Sequence, residues 1–314
     1  MSSKPKRACI FSGNGSWSMY GAATLARFNR NYDTVIGTST GGMLSPFIAL
    51  REWEYLKIKF SSISNRNFYD KRFLKPRPVD KNGKINTWAV ILTLIFKQET
   101  IITTKNFRKY IDEFFTKEYY DEIQKQSKEV LIGVQNYSQI PSKTYFQNSL
   151  YENHKDLKDW MWVSANTPFL SSLTKKSWND EQGNFHVGRW GDGNLTDLLA
   201  LKYFLGERYT NIDIIFNRER TIEKFEGNKI TNLVDYVITS YSSMKENIER
   251  EYFYDVVETL NKEGTNINIY WIPRKLHTPP TSFKTEQMLN WWEEGYVTAE
   301  DENRVDSFPR LSKW

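Results

Sequence analysis

The segment Gly37-Thr38-Ser39-Thr40-Gly41 offers covalent chemistry more directly than any other part of this 314-residue chain. It follows the short run Asp33-Thr34-Val35-Ile36 and precedes an apolar helical stretch. A serine on a sharp strand-to-helix turn is held in a strained backbone with its hydroxyl exposed, and small residues such as Gly37 and Gly41 let strand and helix approach. The helix N-terminus brings free N–H groups and a positive dipole end, which makes the Thr40 N–H a candidate oxyanion donor. Taken alone, the segment also reads as a packing turn that uses glycines for close approach.

A second loop, Ser12-Gly13-Asn14-Gly15-Ser16, follows the apolar run Ala8–Phe11. The backbone N–H groups of Gly13, Asn14 and Gly15 could converge on an anion. A dinucleotide fingerprint would need glycine where Ser18 stands, and no Lys-Ser or Lys-Thr supplies a P-loop. An oxyanion loop for the neighbouring serine and a simple turn remain the two readings. A serine nucleophile also needs a base. His277 alone lies late enough for the usual hydrolase order, in a segment that reads as surface loop. Asp192, in Gly191-Asp192-Gly193, is the better partner, because flanking glycines let a carboxylate reach a neighbouring loop. A carboxylate is a feeble base in water and becomes effective where burial or substrate desolvates it. The plain alternative is a Gly-Asp-Gly turn.

The elements that must carry these residues alternate. Strands are expected at Ala8–Phe11, Asp33–Ile36, Glu129–Gln135, Asn211–Phe216 and Asn266–Ile272, and a hairpin over 174–190 turning at Asn184. Helices are expected at Met19–Phe28, from Met43 to about Phe60, at Lys105–Thr116, Leu157–Val163 and Glu286–Tyr296, with one or two more over Ile230–Leu260. The β-α-β-α order of the first 60 residues argues for a parallel sheet covered by helices. Trp88–Phe96 reads as a core helix or an active-site cap. It is too short to span about 30 Å of hydrocarbon.

Composition sets the class. Aromatic residues reach 15%, too rich for a disordered chain. Lys and Arg number 43 against 38 Asp and Glu, and a net charge of +5 is too slight for a nucleic-acid protein. The single Cys9 excludes an intrachain disulfide, and three histidines argue against a metal centre. No metal or cofactor is expected. With no signal-peptide pattern, a cytoplasmic protein is expected, with peripheral membrane contact left open. Trp160, Trp162, Trp291 and Trp292 could anchor at a lipid headgroup layer. Core packing is the favoured reading for each.

Together these segments resemble the patatin-like phospholipases. Cys9 to Gly15 matches that family's strand and glycine-rich loop, and Gly37 to Gly42 its nucleophile elbow. Ser164-Ala165-Asn166-Thr167-Pro168-Phe169 is similar to its small-residue segment ending in proline, and Asp192-Gly193 to its aspartate at the end of a short strand. The resemblance spans most of residues 8–300, flanked by a basic tail at 1–7 and a tail at 301–314. It implies an α/β fold, a three-layer α/β/α sandwich with a mainly parallel central sheet. It also implies a lipid acyl hydrolase that needs no histidine, with Ser39 as nucleophile, Asp192 as base and an acyl-enzyme intermediate. Gly13, Asn14 and Gly15 would then be oxyanion-loop residues.

The loop departs from the family pattern. Asn14 replaces a glycine, Trp17 a basic residue and Ser18 a glycine. Asn is expected at position 14 because it tolerates positive φ, and Ser18 because it suits a helix entry. These departures keep open a non-catalytic scaffold or lipid-binding protein. A malonyl-transferase-type acyltransferase normally has a histidine beside the serine, where this chain has Thr38 and Thr40.

Overall fold

The computed structural model describes residues 6–65, 104–140, 142–168, 171–180, 182–193, 200–201, 203–206, 209–219, 256–260, 262–273, 276 and 278–299. The stretch Trp88–Phe96, expected as a core helix or a cap, lies outside them, as do His277, most of the helical stretch 230–260 and the tail 301–314.

Among the described residues, eight strands form one mixed, mostly parallel sheet: β1 (Lys6–Phe11), β2 (Thr34–Thr38), β3 (Glu129–Asn136), β4 (Lys143–Asn148), β5 (Thr174–Asn179), β6 (Phe185–Asp192), β7 (Tyr209–Glu219) and β8 (Asn266–Ile272). Strand β1 begins at Lys6, so Lys6 and Arg7 belong to the sheet and not to a basic tail. Hydrogen-bonded neighbours run β5–β6–β3–β2–β1–β7–β8, and β4 also pairs with β3. The central pairs β3–β2, β2–β1, β1–β7 and β7–β8 are parallel. Strands β4 and β6 run antiparallel to β3, and β5 antiparallel to β6.

Alternation within β1 sends side chains to both faces. Cys9 and Phe11 face a core built with α1 (Ser18–Phe28), α2 (Thr40–Leu50), α3 (Trp53–Ser61), α4 (Lys105–Phe114), α5 (Lys117–Lys125), α6 (His154–Ser164) and α7 (Thr285–Val297). Ala8 and Ile10 face a second core with Leu201, Phe204, Val256 and Leu260. Both faces are covered, as strands apolar on both sides require. The result is the three-layer arrangement expected from the sequence.

Two local differences have physical causes. The single helix expected from Met43 to Phe60 is two helices. Arg51 takes φ 60 and closes α2 with Arg51 N–H to Ile48 O (3.2 Å) and Glu52 N–H to Phe47 O (2.9 Å). That is a Schellman-type end with arginine where glycine is usual, so no breaker marks it. Strand β4 has no alternating apolar pattern and forms because β3 offers it a free edge. On the face that carries Cys9, Asp213 on β7 is fully buried. It accepts hydrogen bonds from Arg30 (3.0 Å), Tyr32 (2.8 Å) and Asn268 (2.7 Å), tying the α1–β2 connection to β7 and β8.

Candidate active site

Ser39 is the single residue between β2 and α2, at φ 55 and ψ −133. For a residue with a side chain this is a sparsely populated, costly conformation that persists only where the surroundings hold it. Its N–H donates to Ser164 Oγ (2.8 Å), and Ser164 Oγ donates to Gly133 O (2.7 Å). Ser164, fully buried at the end of α6, therefore ties the turn to β3. A Cβ on Gly37 would overlap Gly41 O, and one on Gly41 would overlap Phe11 O. Both glycines are required by close backbone approach.

The glycine loop lies directly on this serine. A Cβ on Gly13 would overlap Ser39 Cβ and Thr38 O and sit 3.0 Å from Thr40 N. Gly13 and the Thr40 N–H thus share one patch beside Ser39. The expectation of positive φ at Asn14 is corrected: its φ is −171, extended backbone open to any residue. Gly15 carries the positive φ, at 55, and a Cβ there would overlap Pro280 O.

Each departure from the family loop is engaged. Asn14 N–H donates to Thr40 Oγ1 (3.2 Å) and Ser18 Oγ (3.3 Å), and those two hydroxyls bond each other at 2.8 Å. Asn14 Nδ2 donates to Asn217 O (2.7 Å) on β7. Trp17 Nε1 donates to Thr278 O (2.8 Å), and Ser16 N–H to Pro280 O (2.8 Å). The segment 278–282 buttresses the loop where the family has a cation.

Asp192 ends β6 and is 1% exposed. The registers place it next to the serine turn. Strand β4 pairs Leu131–Asn136 of β3, and β6 pairs Val134–Asn136, so these two must use opposite edges of β3. That leaves β6 on the edge that β2 uses up to Gly133. Thr38 sits opposite Gly133 and Asp192 opposite Val134. Strands β2 and β6 therefore meet head-on, their ends about one residue rise apart (~3.3 Å) along β3. Asp192 N–H donates to Asn166 O (3.0 Å), Thr167 Oγ1 to Asp192 Oδ2 (3.1 Å) and Tyr137 Oη to Asp192 O (2.8 Å). Asn166 is itself fixed by Thr104 Oγ1 (2.6 Å).

One short segment, Ser164 to Thr167, thus grips the serine turn with its first residue and the aspartate with Asn166 and Thr167. Sequence reading noted this segment only as a family-like stretch; small polar residues just before Pro168 were the available signal. The Thr40 and Ser18 hydroxyls were likewise missed as acceptors.

Other groups lie elsewhere. His154 Nε2 bonds Phe115 O (3.0 Å), and His186 pairs with Asp180 (2.8 Å). Trp160, Trp291 and Trp292 are buried in the core, and half-buried Trp162 donates to Thr104 O (3.0 Å), so none is an exposed lipid anchor. Among the described residues, no group of His, Cys, Asp and Glu could hold a metal ion. No described helix is long and apolar enough to cross a membrane. The family model for patatin-like phospholipases matches residues 10–205, a span that includes the loop, the serine turn and Asp192. No curated protein matches the chain.

Proposed function

The chain belongs to the patatin-like phospholipase family of lipid acyl hydrolases, and on that premise we propose that it cleaves carboxylic ester bonds of lipids through Ser39 and Asp192. Ser39 Oγ attacks the ester carbonyl while the Asp192 carboxylate takes its proton. The tetrahedral oxyanion is met by the N–H groups of Gly13, Gly15 and Thr40, and α2 points its N-terminus at the developing charge. Asn14 serves this loop by position, because its N–H is already held by Thr40 and Ser18. Collapse expels the alcohol, which takes the proton from Asp192, and leaves Ser39 acylated. Water then attacks the acyl carbon, gives its proton to Asp192 and releases the fatty acid, and the proton returns to Ser39.

The observation that carries this reading is the head-on meeting of β2 and β6 on one edge of β3. It brings the ends of the strands that carry a strained serine and a buried carboxylate together, and the two described histidines, His154 and His186, bond elsewhere. Dispersed phospholipid substrate supplies the test. Wild type is expected to release fatty acid, and Ser39→Ala and Asp192→Asn are expected not to. Mass spectrometry of rapidly quenched enzyme is expected to find the acyl group on Ser39. Equal release by the Ser39→Ala protein would refute the assignment. A folded wild type that releases none would favour the scaffold reading.

A further inference from the structure

The β5–β6 hairpin presents a face that the catalytic arrangement does not use. Its register pairs Lys175 with Arg189, Ser177 with Val187 and Asn179 with Phe185, which puts these side chains on one face. The other face is occupied: Trp178 and Trp190 pack against Trp160 and Tyr145. On the open face Phe185 is 68% and Val187 66% exposed. The exposed Lys175 lies toward the hairpin base, opposite Arg189.

This face stands at the catalytic end of the sheet. Trp190 sits opposite Asn136, the last residue of β3, so the stretch from Arg189 to Phe185 extends past the carboxyl ends of the parallel strands. Ser39 follows the carboxyl end of β2, and Asp192 ends β6 itself. The β3–β4 turn runs alongside, held by Tyr137 N–H to Arg189 O (2.8 Å) and Arg189 N–H to Ser138 Oγ (2.9 Å). That turn carries Ile140, fully exposed. Asp180, at the hairpin's own turn, is engaged internally by Asn184 N–H (2.7 Å) and His186 (2.8 Å).

We infer that Phe185, Val187 and Ile140, with Lys175 set back toward the hairpin base, dock the protein on a bilayer surface that contains anionic lipid. The inference rests on the lipid-hydrolase reading and names where that enzyme meets its substrate. Apolar side chains at the rim gain by entering the acyl boundary, while cations set back from them meet headgroup phosphates. The net charge of +5 favours the same surface.

The test uses the full chain carrying Ser39→Ala, so that binding is read without turnover. The probe is sedimentation with vesicles of phosphatidylcholine mixed with phosphatidylserine, against phosphatidylcholine alone. Binding is expected on the anionic vesicles. Phe185→Ser with Val187→Ser is expected to weaken it by about tenfold or more, and Lys175→Glu by about fivefold or more. Ile58→Ser and Val297→Ser, at comparably exposed positions on α3 and α7, are expected to change nothing. Undiminished binding by the Phe185/Val187 variant, equal binding to neutral vesicles, or equal losses in the two comparison variants would each overturn the inference. So would light scattering that shows a lipid-free dimer dissociated by the Phe185/Val187 change, because a second copy would then be the occupant. Hydrolysis of a soluble short-chain ester in the Ser39 background is expected to be unchanged by the hairpin variants. That separates failure of docking from failure of the catalytic reading.

Discussion

Ser164→Ala removes one hydroxyl and disturbs two buried groups. The Ser39 N–H loses its acceptor at 2.8 Å, and Gly133 O loses a donor at 2.7 Å. An orphaned buried N–H costs about 1–3 kcal/mol, and a lost hydrogen bond about 0.5–1.5 kcal/mol. The expected destabilisation is therefore about 2–4 kcal/mol, with Tm lowered by about 4 °C or more. Function suffers separately, because the strained φ 55 of Ser39 relaxes once its N–H is released. Small displacements of a reacting group cost up to about 100-fold in rate, so labelling of Ser39 by a serine-directed probe is expected to slow by about tenfold or more. Ser45→Ala is the comparison. Ser45 Oγ donates to Gly41 O (2.8 Å) within α2, and its loss strands no N–H. It is expected to cost under about 1 kcal/mol. Denaturant unfolding with labelling rates at matched temperature makes the measurement. Ser164→Ala as stable as Ser45→Ala and labelled at the wild-type rate would refute the idea that this hydroxyl holds the turn.

Further outcomes follow from the same geometry. Gly13→Ala forces a methyl group into Ser39 Cβ and Thr38 O; probe labelling is expected to vanish, and a wild-type rate would show that the loop does not lie on the serine. Asp213→Asn leaves the Arg30 guanidinium without its buried counter-charge; breaking such a pair costs about 3 kcal/mol or more, read by denaturant unfolding, and an unchanged midpoint would contradict the pairing. Burial pushes the Tyr110 and Tyr119 hydroxyls up to about 12 and the Tyr32 hydroxyl well above its ordinary value. Their neutral forms favour the fold, so this stability is whole below pH about 10 and is lost as pH rises toward 12. Ultraviolet titration is expected to show a class of tyrosines ionising late, together with unfolding, and uniform ionisation near 10 would contradict it.

The elements that position the site are legible where burial alone dictates the residues. Ala8–Phe11, Asp33–Ile36 and Glu129–Gln135 are short apolar runs because their strands are covered on both faces, and β8 is read to its observed ends. Ser39 stands out because two glycines mark the close approaches of Gly37 and Gly41. What the sequence conceals is partnership at a distance. Ser164 is an ordinary helix-end serine until β3 and the serine turn are brought against it. Strand β4 is polar enough to pass as loop, and α5 was hidden among charged residues. The α2–α3 break is masked because arginine, not glycine, takes the left-handed position. Asn14 looks like a glycine substitute in the sequence, yet its φ is extended and its work is to bond Thr40, Ser18 and β7.

The central claim is that Ser39 is a nucleophile activated by Asp192, and covalent labelling with a fluorophosphonate tests it most directly. Wild type is expected to take up one probe at Ser39, located by peptide mass. Ser39→Ala is expected to take up none, and Asp192→Asn to react far more slowly while remaining folded. A well-folded wild type that stays unlabelled, with and without lipid vesicles, or a label that persists in Ser39→Ala, would contradict the account.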